Sequence, residues 1–297
     1  MGPYDWLPHA PHAPLEPLHL DWLQGVELAV LRLDRVDPLI SGNKWFKLSG
    51  HLAQAQDAKG IISLGGAWSN HLHALAAAGK RFGFTTVGLL RGHPQDTPTV
   101  LDLKALGMQL HWLGYGGYRA RHEPGFWLPW REQYPDLHPV PEGGGGLAGA
   151  MGCCVLVEQA RAQLHTLGWA DYDGWWLAAG TGTTLAGLVL AEAGAHPVYG
   201  AMAVPDDHGV AQNVGALVQG GYELLDASRG GFAKVDPELL AFIEHTEKTC
   251  GLPLEPLYTG KALMALKQQI EAGRFAPGTR LIFIHTGGLQ GRRGFKG

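Results

Sequence analysis

The sequence predicts an α/β fold with mainly parallel sheets and enough chain for two domains. Three observations carry this. Short β-rich runs alternate with longer helical stretches along the chain. The 297 residues exceed the usual size of one domain and suffice to bury a sizeable core. Several β-rich runs end on glycine clusters that lead into helices. Open α/β sheets bind ligands at such turns, beyond the carboxyl ends of their strands.

In chain order, the N-terminal stretch carries Pro3, Pro8, Pro11 and Pro14 with no basic or apolar segment. It is not expected to be a signal peptide. The first strand candidate, 26–33, is aliphatic apart from Glu27 and Arg32. An amphipathic helix over 44–58 follows. The run at 61–64, Ile-Ile-Ser-Leu, enters Gly65-Gly66 and then an alanine-rich helix over 70–82. A strand at 85–90, a helix over 97–106 and a strand at 109–113 come next. Residues 115–137 mix aromatics and charges without period and carry no assignment. Pro135, Pro139 and Pro141 precede a four-glycine run, 143–146, the best linker candidate in the chain. The remainder alternates again: helix 149–167, strand 175–179, helix 183–193, strand 198–204, helices 236–250 and 258–271, and strand 281–285. No repeat appears at periods of 20–50 residues.

Composition excludes several classes. Hydrophobic residues at 45% and charged residues at 17% rule out a disordered chain and a coiled coil. The 44 glycines have no collagen-like period, so they mark special backbone positions instead. A net charge of -4 with no basic run gives no expectation of nucleic-acid binding. The longest apolar runs, 175–179 and 281–284, fall far short of the roughly 20 residues of a membrane span. Cys153 and Cys154 are adjacent and Cys250 is alone, which argues against a disulfide framework and fits a reducing cytoplasm. Cys153 and Cys154 read as buried thiols.

Three segments carry chemistry. Gly180, Thr181, Gly182, Thr183 and Thr184 follow a strand and open a helix. Glycines admit a ligand to the backbone, the helix N-terminus supplies free N–H groups, and the threonines add hydroxyls. That suits a phosphate, although a turn needing glycine for conformation alone would read the same way. The spacing matches neither the Walker loop nor the dinucleotide fingerprint. Lys44 stands among Gly42, Asn43, Trp45 and Phe46 at the start of a helix, with Lys47 one turn on. A desolvated lysine has a lowered pKa and is suited to Schiff-base chemistry, though most lysines are simply solvated. Ser69, Asn70 and His71 open a helix, where small polar residues are by default caps but also face a ligand. His71 and His73, two apart, do not share a helix face, so no catalytic metal is expected.

Together these segments resemble the pyridoxal-phosphate enzymes of fold type II, the tryptophan synthase β-like group. Within it they resemble the 1-aminocyclopropane-1-carboxylate deaminase / D-cysteine desulfhydrase family. The resemblance rests on Pro14-Leu15-Glu16-Pro17-Leu18, on Gly42-Asn43-Lys44 with Lys47, and on Gly65-Gly66-Ala67-Trp68-Ser69-Asn70-His71. It continues through 179–187, through Leu257-Tyr258-Thr259-Gly260-Lys261-Ala262 and through His285-Thr286-Gly287-Gly288.

The resemblance implies two domains, each an open, mainly parallel twisted sheet flanked by helices. Residues 1–49 and 148–297 would form the larger, and 50–147 the smaller. Pyridoxal 5′-phosphate would lie in the cleft between them, held as a Schiff base by Lys44, which would also move the α proton. Gly180 to Thr184, with Lys47, would hold the phosphate. Asn70 would bond the 3′ oxygen, Thr259 would face the pyridine nitrogen, and Thr286 would also contact the cofactor. Ser69, Asn70 and His71 would bind the substrate carboxylate. Ser69 and Tyr258 would be proton-transfer groups, with Tyr258 also lining the substrate site. A small amino acid as substrate and a cytoplasmic homodimer are further implied.

Deaminase-type members carry Glu at the position of Thr259 and Leu at that of Thr286; this chain has Thr at both, as the desulfhydrase type does. A neutral threonine should hold a proton on the pyridine nitrogen less well than an acid, giving a shallower electron sink. That suits expulsion of a good leaving group such as thiolate. The expectation is β-elimination from D-cysteine to pyruvate, ammonia and hydrogen sulfide. Deamination of 1-aminocyclopropane-1-carboxylate to 2-oxobutanoate is the second reading, and a non-covalent phosphate- or nucleotide-binding module is a third of another class. Phe232, after Gly230-Gly231, stands where the family often has tyrosine. The stretches 31–35 and 115–146 also depart from the family pattern.

Overall fold

The computed structural model describes residues 11–55 and 57–295. Pro3 and Pro8 lie outside them. The first part of the chain runs β1 (Leu15–Pro17), β2 (Glu27–Arg32), α1 (Asn43–Gln54), β3 (Gly60–Gly65), α2 (Asn70–Phe82), β4 (Thr85–Leu90), α3 (Pro98–Ala105) and β5 (Gln109–Trp112). Short helices α4 (Gly114–Arg119) and α5 (Leu128–Gln133) then lead to β6 (Leu137–Val140). The second part comprises α6 (Gly146–Cys153), α7 (Val155–Arg161), β7 (Gly174–Ala179), α8 (Thr183–Glu192), β8 (Val198–Met202), α9 (Val210–Gly215), β9 (Tyr222–Asp226), α10 (Pro237–Cys250), α11 (Thr259–Glu271) and β10 (Arg280–His285).

The strands form two sheets. One has the order β1-β2-β10-β7-β8-β9 and the other β5-β4-β3-β6. Only β1 is antiparallel to its neighbour. In the larger sheet β7 is buried throughout and β10 is buried except at Arg280. That is why they read as continuous apolar runs rather than alternating ones. In the smaller sheet β3 is the equivalent strand, buried throughout.

Three strands, β1, β6 and β9, lie outside the runs expected from the sequence, and each is at a sheet edge. β1 and β6 contain Pro17 and Pro139, which edges tolerate because they lack a neighbour on one side. β9 is half exposed and carries Glu223 and Asp226, so its apolar signal is weak. The helix expected over 149–167 is instead α6, α7 and a 3-10 turn at Leu164–Leu167. Its first break is local: Cys154 N donates to Met151 O, and Val157 N to Cys154 O, three residues apart rather than four.

Helices α1, α6 and α8 cross at backbone distance. A methyl group at Gly50 would come within 1.9 Å of Ala148 O, one at Gly152 within 2.0 Å of Phe46 O, and one at Gly187 within 2.4 Å of Ala150 O. Part of the glycine excess therefore serves helix packing. The run 143–146, expected as a linker, does join β6 to α6 but is packed. Gly143 O and Gly145 O each accept a side-chain hydrogen bond, from Lys47 and His51. Cys153 is buried as expected, whereas Cys154 is half-buried and donates toward Gly187 O.

No helix among the described residues is long and apolar enough to cross a membrane.

Candidate active site

The C-terminal ends of β3, β7 and β10 all open toward the start of α1. Asn43 N donates to Thr286 O, just beyond β10, at 3.0 Å, and so ties the helix start to that turn. His285 fixes the turn from behind. It is fully buried, with Nε2 bonded to Pro253 O at 2.6 Å and Nδ1 accepting from Gly287 N at 3.2 Å.

Lys44 follows Asn43 in the first turn of α1. It is half-buried, and Nζ donates to Asn43 Oδ1 at 3.0 Å. Desolvation, followed by the charge of Lys47, holds its ammonium well below the ordinary lysine range. A neutral amine that is still accessible is a nucleophile. Lys47 is buried one turn on, and burial lowers it to about 8. Its Nζ lies 3.3 Å from Thr181 Oγ1 and 3.4 Å from Gly143 O.

The loop from Gly180 to Thr184 forms the adjoining wall. Gly182 takes a positive φ of 77° and precedes α8, whose N-terminus has no side-chain cap. The first-turn N–H groups of α8 are therefore free for a ligand. Thr181 and Thr183 hydroxyls lie 2.9 Å apart, and Asn43 Nδ2 donates to Thr184 Oγ1 at 2.9 Å. Glycines 143 and 144 close the cradle; a methyl group on Gly144 would meet Lys47 Cβ at 3.2 Å and the His71 ring at 3.4 Å. Cys153 lies behind Thr184, and burial pushes its thiol up to about 11, so it is inert.

The facing wall is the start of α2. Ser69 caps it, Oγ accepting from Leu72 N at 3.1 Å, so the capping expectation holds. Ser69 and Asn70 remain half-buried and accessible. Ser69→Ala should cost about 1 kcal/mol of stability, typical of a lost N-cap, readable as a lowered denaturant midpoint. A variant as stable as the parent would show that the cap contributes nothing. Asn70 sits against the turn after β10, since a methyl group on Gly288 would lie 2.8 Å from Asn70 Nδ2.

His71 is buried, and burial and then Lys44 hold it well below the ordinary histidine range, so it is neutral. Ser63 Oγ donates to Val140 O and lies 2.8 Å from His71 Nε2. This assigns the ring proton to Nε2 and leaves Nδ1 a buried acceptor with no partner. His71 thus has no free donor for a carboxylate; Ser69 and Asn70 have. His73 faces the other way, toward Asp102 at 3.2 Å. Among the described residues no group of three His, Cys, Asp or Glu is placed to hold a metal ion.

The last wall is the start of α11. Tyr258 is half-buried against Gly180, and its ring packs 5.4 Å from that of Phe232. Burial, then Glu255 and Glu142, keep its hydroxyl protonated. Thr259 is fully buried and bonded to Glu255. Glu255 is a site residue the sequence did not reveal. It lies two residues before the recognised Leu257–Ala262 segment, and a lone Glu between Leu254 and Pro256 carries no motif. Lys261 stabilises this wall: its buried ammonium donates to Ser228 O, Gly231 O and Phe232 O at 2.8–3.0 Å, fixing the loop that bears Phe232.

An accessible lysine amine of lowered pKa beside a glycine–threonine cradle with its own cation fits a phosphorylated aldehyde, and pyridoxal 5′-phosphate has both groups. The model of the pyridoxal-phosphate dependent enzyme family matches residues 13–287. The chain belongs to that family. A putative 1-aminocyclopropane-1-carboxylate deaminase of Pyrococcus furiosus is 29% identical over 293 residues, spanning 91% of this chain and 87% of that one. The bifunctional D-cysteine desulfhydrase/1-aminocyclopropane-1-carboxylate deaminase of Arabidopsis thaliana is 28% identical over 298 residues, spanning 90% and 73%. A solved homologue of the deaminase superposes with a TM-score of 0.76 at 26% identity, covering 98% of this chain and 95% of that one. The enzyme is thus a fold type II member of the deaminase / D-cysteine desulfhydrase family, and the non-covalent binding-module reading gives way.

Lys47 gives the cradle a pH signature. Its free-state pKa is about 8, and a bound phosphate raises it. The affinity this cation contributes is therefore complete below pH 8 and is lost as pH climbs through the higher bound-state value. Pyridoxine 5′-phosphate, which lacks the aldehyde, isolates this effect from Lys44. Its affinity should fall steadily above pH 8 in calorimetric titration, and Lys47→Gln should remove the slope. A parent affinity flat from pH 7 to 10 would take Lys47 out of the cradle.

Proposed function

We propose that the enzyme catalyses β-elimination from a small amino acid, with D-cysteine as substrate and pyruvate, ammonia and hydrogen sulfide as products. Bound pyridoxal phosphate supplies an electron sink for the pair left when the α proton departs. Lys44, its amine held well below the ordinary lysine range by burial, holds the cofactor and takes that proton. Gly180 to Thr184 and Lys47 hold the phosphate, while Asn70, Thr259 and Thr286 orient the ring. Ser69 and Asn70 donate to the substrate carboxylate. Tyr258, with its proton firmly held, donates toward the leaving group rather than acting as a base. Homodimeric assembly and a cytoplasmic location belong to the same proposal.

The observation that carries the choice of substrate is the Phe232–Tyr258 contact. Opening a cyclopropane ring needs a proton delivered to carbon, and the apolar Phe232 ring supplies no second phenol beside Tyr258. Expulsion of thiolate needs no such second acid, and aromatic edges suit sulfur. The names of the relatives favour the second reading, deamination of 1-aminocyclopropane-1-carboxylate. A panel of D- and L-amino acids decides between them. Sulfide and pyruvate from D-cysteine, with little 2-oxobutanoate from the cyclopropane acid, are expected. A higher kcat/KM for the cyclopropane acid would reverse the assignment.

A further inference from the structure

We infer that Glu255 is a positioning residue that fixes the direction of the Thr259 hydroxyl, so that Thr259 meets the cofactor's ring nitrogen as a hydrogen-bond acceptor and keeps it protonated. This rests on the reading that Thr259 faces that nitrogen.

Glu255 is almost fully buried. Its Oε1 accepts from Thr259 N at 2.6 Å and Tyr258 N at 2.8 Å, and its Oε2 from Leu257 N at 2.7 Å. Thr259 Oγ1 lies 3.1 Å from the same Oε1. Three backbone N–H donors converge on the two carboxyl oxygens, an arrangement that favours the ionised form. Burial pushes this carboxyl up, and the N–H groups of Thr259, Leu257 and Tyr258 oppose that shift.

A threonine hydroxyl has one proton and two acceptor positions. Glu255 N donates to Oγ1 at 3.0 Å and fills one of them. The proton has two possible acceptors here, the carboxylate at 3.1 Å and the Glu255 carbonyl at 3.4 Å, and both belong to Glu255. A hydrogen bond to an ionised acceptor is roughly twice as strong as one to a neutral acceptor. An unprotonated ring nitrogen therefore loses the competition for that proton. One lone pair on Oγ1 remains, and only a donor can use it. The buried charge behind the hydroxyl further favours a cationic ring.

Threonine backed by a buried glutamate thus does indirectly what an acid at position 259 would do directly. The shallow electron sink expected from Thr259 alone does not follow, and the preference for D-cysteine rests on Phe232 instead.

Ring-nitrogen NMR tests this without turnover. Protein reconstituted with cofactor labelled by 15N in the ring should show a protonated nitrogen at neutral pH. Glu255→Gln and Thr259→Val should each move the signal to the unprotonated position. A nitrogen unprotonated in the parent, or unmoved by Glu255→Gln, overturns the inference while cofactor binding through Lys44 stands. A signal indifferent to Thr259→Val overturns both the inference and the placing of Thr259 at the ring. Because the parent spectrum is itself decisive, a Glu255→Gln protein that fails to fold leaves the test intact.

Discussion

Lys44→Ala is expected to lower turnover by at least about a thousandfold, because it removes the covalent anchor and the proton-moving base together. The parent should be yellow, and borohydride should fix the cofactor on the peptide bearing Lys44. In the variant that peptide should stay unmodified, although the cradle of Lys47 and residues 180–184 still offers the phosphate a site. The fold should survive. Lys44 makes one side-chain hydrogen bond, to Asn43 on its own helix, and is only half-buried.

The stability effect has a definite sign. The folded-state pKa of Lys44 lies well below its ordinary value. Between those two values the unfolded chain binds the extra proton, so this group makes the cofactor-free protein more stable as pH rises. Lys44→Ala removes that slope and should leave the cofactor-free protein at least as stable at pH 7. Full turnover by Lys44→Ala, or borohydride labelling at another lysine, would displace Lys44 from the centre of the site.

Much of this site was legible in sequence because it is built from turns. Glycine, threonine and small polar residues placed directly after a strand have few other uses, so 65–71, 180–184 and 285–288 could be read as segments. Helix α2 was read to the residue because Ser69 caps its start and Gly83, left-handed, ends it. What stayed hidden depends on contacts distant in sequence. The glycine run at 143–146 looks like a linker until Lys47, 96 residues away, is seen to donate to Gly143 O. His71 looks like a carboxylate partner until Ser63 is seen to take up its Nε2 proton. Glu255 is one carboxylate among many until the N–H groups of the next helix converge on it. The edge strands β1, β6 and β9 were missed for a different reason: two carry a proline and the third is half exposed, so their apolar pattern is weak.

Gly42→Ala should separate the two turns on which the site depends. Gly42 has φ 68° and ψ -148°, a region that is essentially restricted to glycine. A methyl group there would lie 2.0 Å from Thr286 O and 2.8 Å from Gly287 Cα, both backbone atoms that cannot rotate aside. Strain and overpacking together should cost about 3 kcal/mol or more. The damage falls on the link from Asn43 N to Thr286 O, and Lys44 is the next residue. A displacement of the reactive amine by about 1 Å is enough for a hundredfold loss of turnover, so kcat should fall even where the variant is still folded. Gly116→Ala is the matching control. Gly116 lies in α4 with nothing near its missing side chain and without a positive φ. Alanine there should leave stability unchanged or raise it by up to about 1 kcal/mol. Denaturant unfolding and kcat measured on both variants decide the matter. If Gly42→Ala unfolds at the parent midpoint and keeps parent kcat, the close approach of the 41–43 and 286–288 turns is not what sets Lys44 in place.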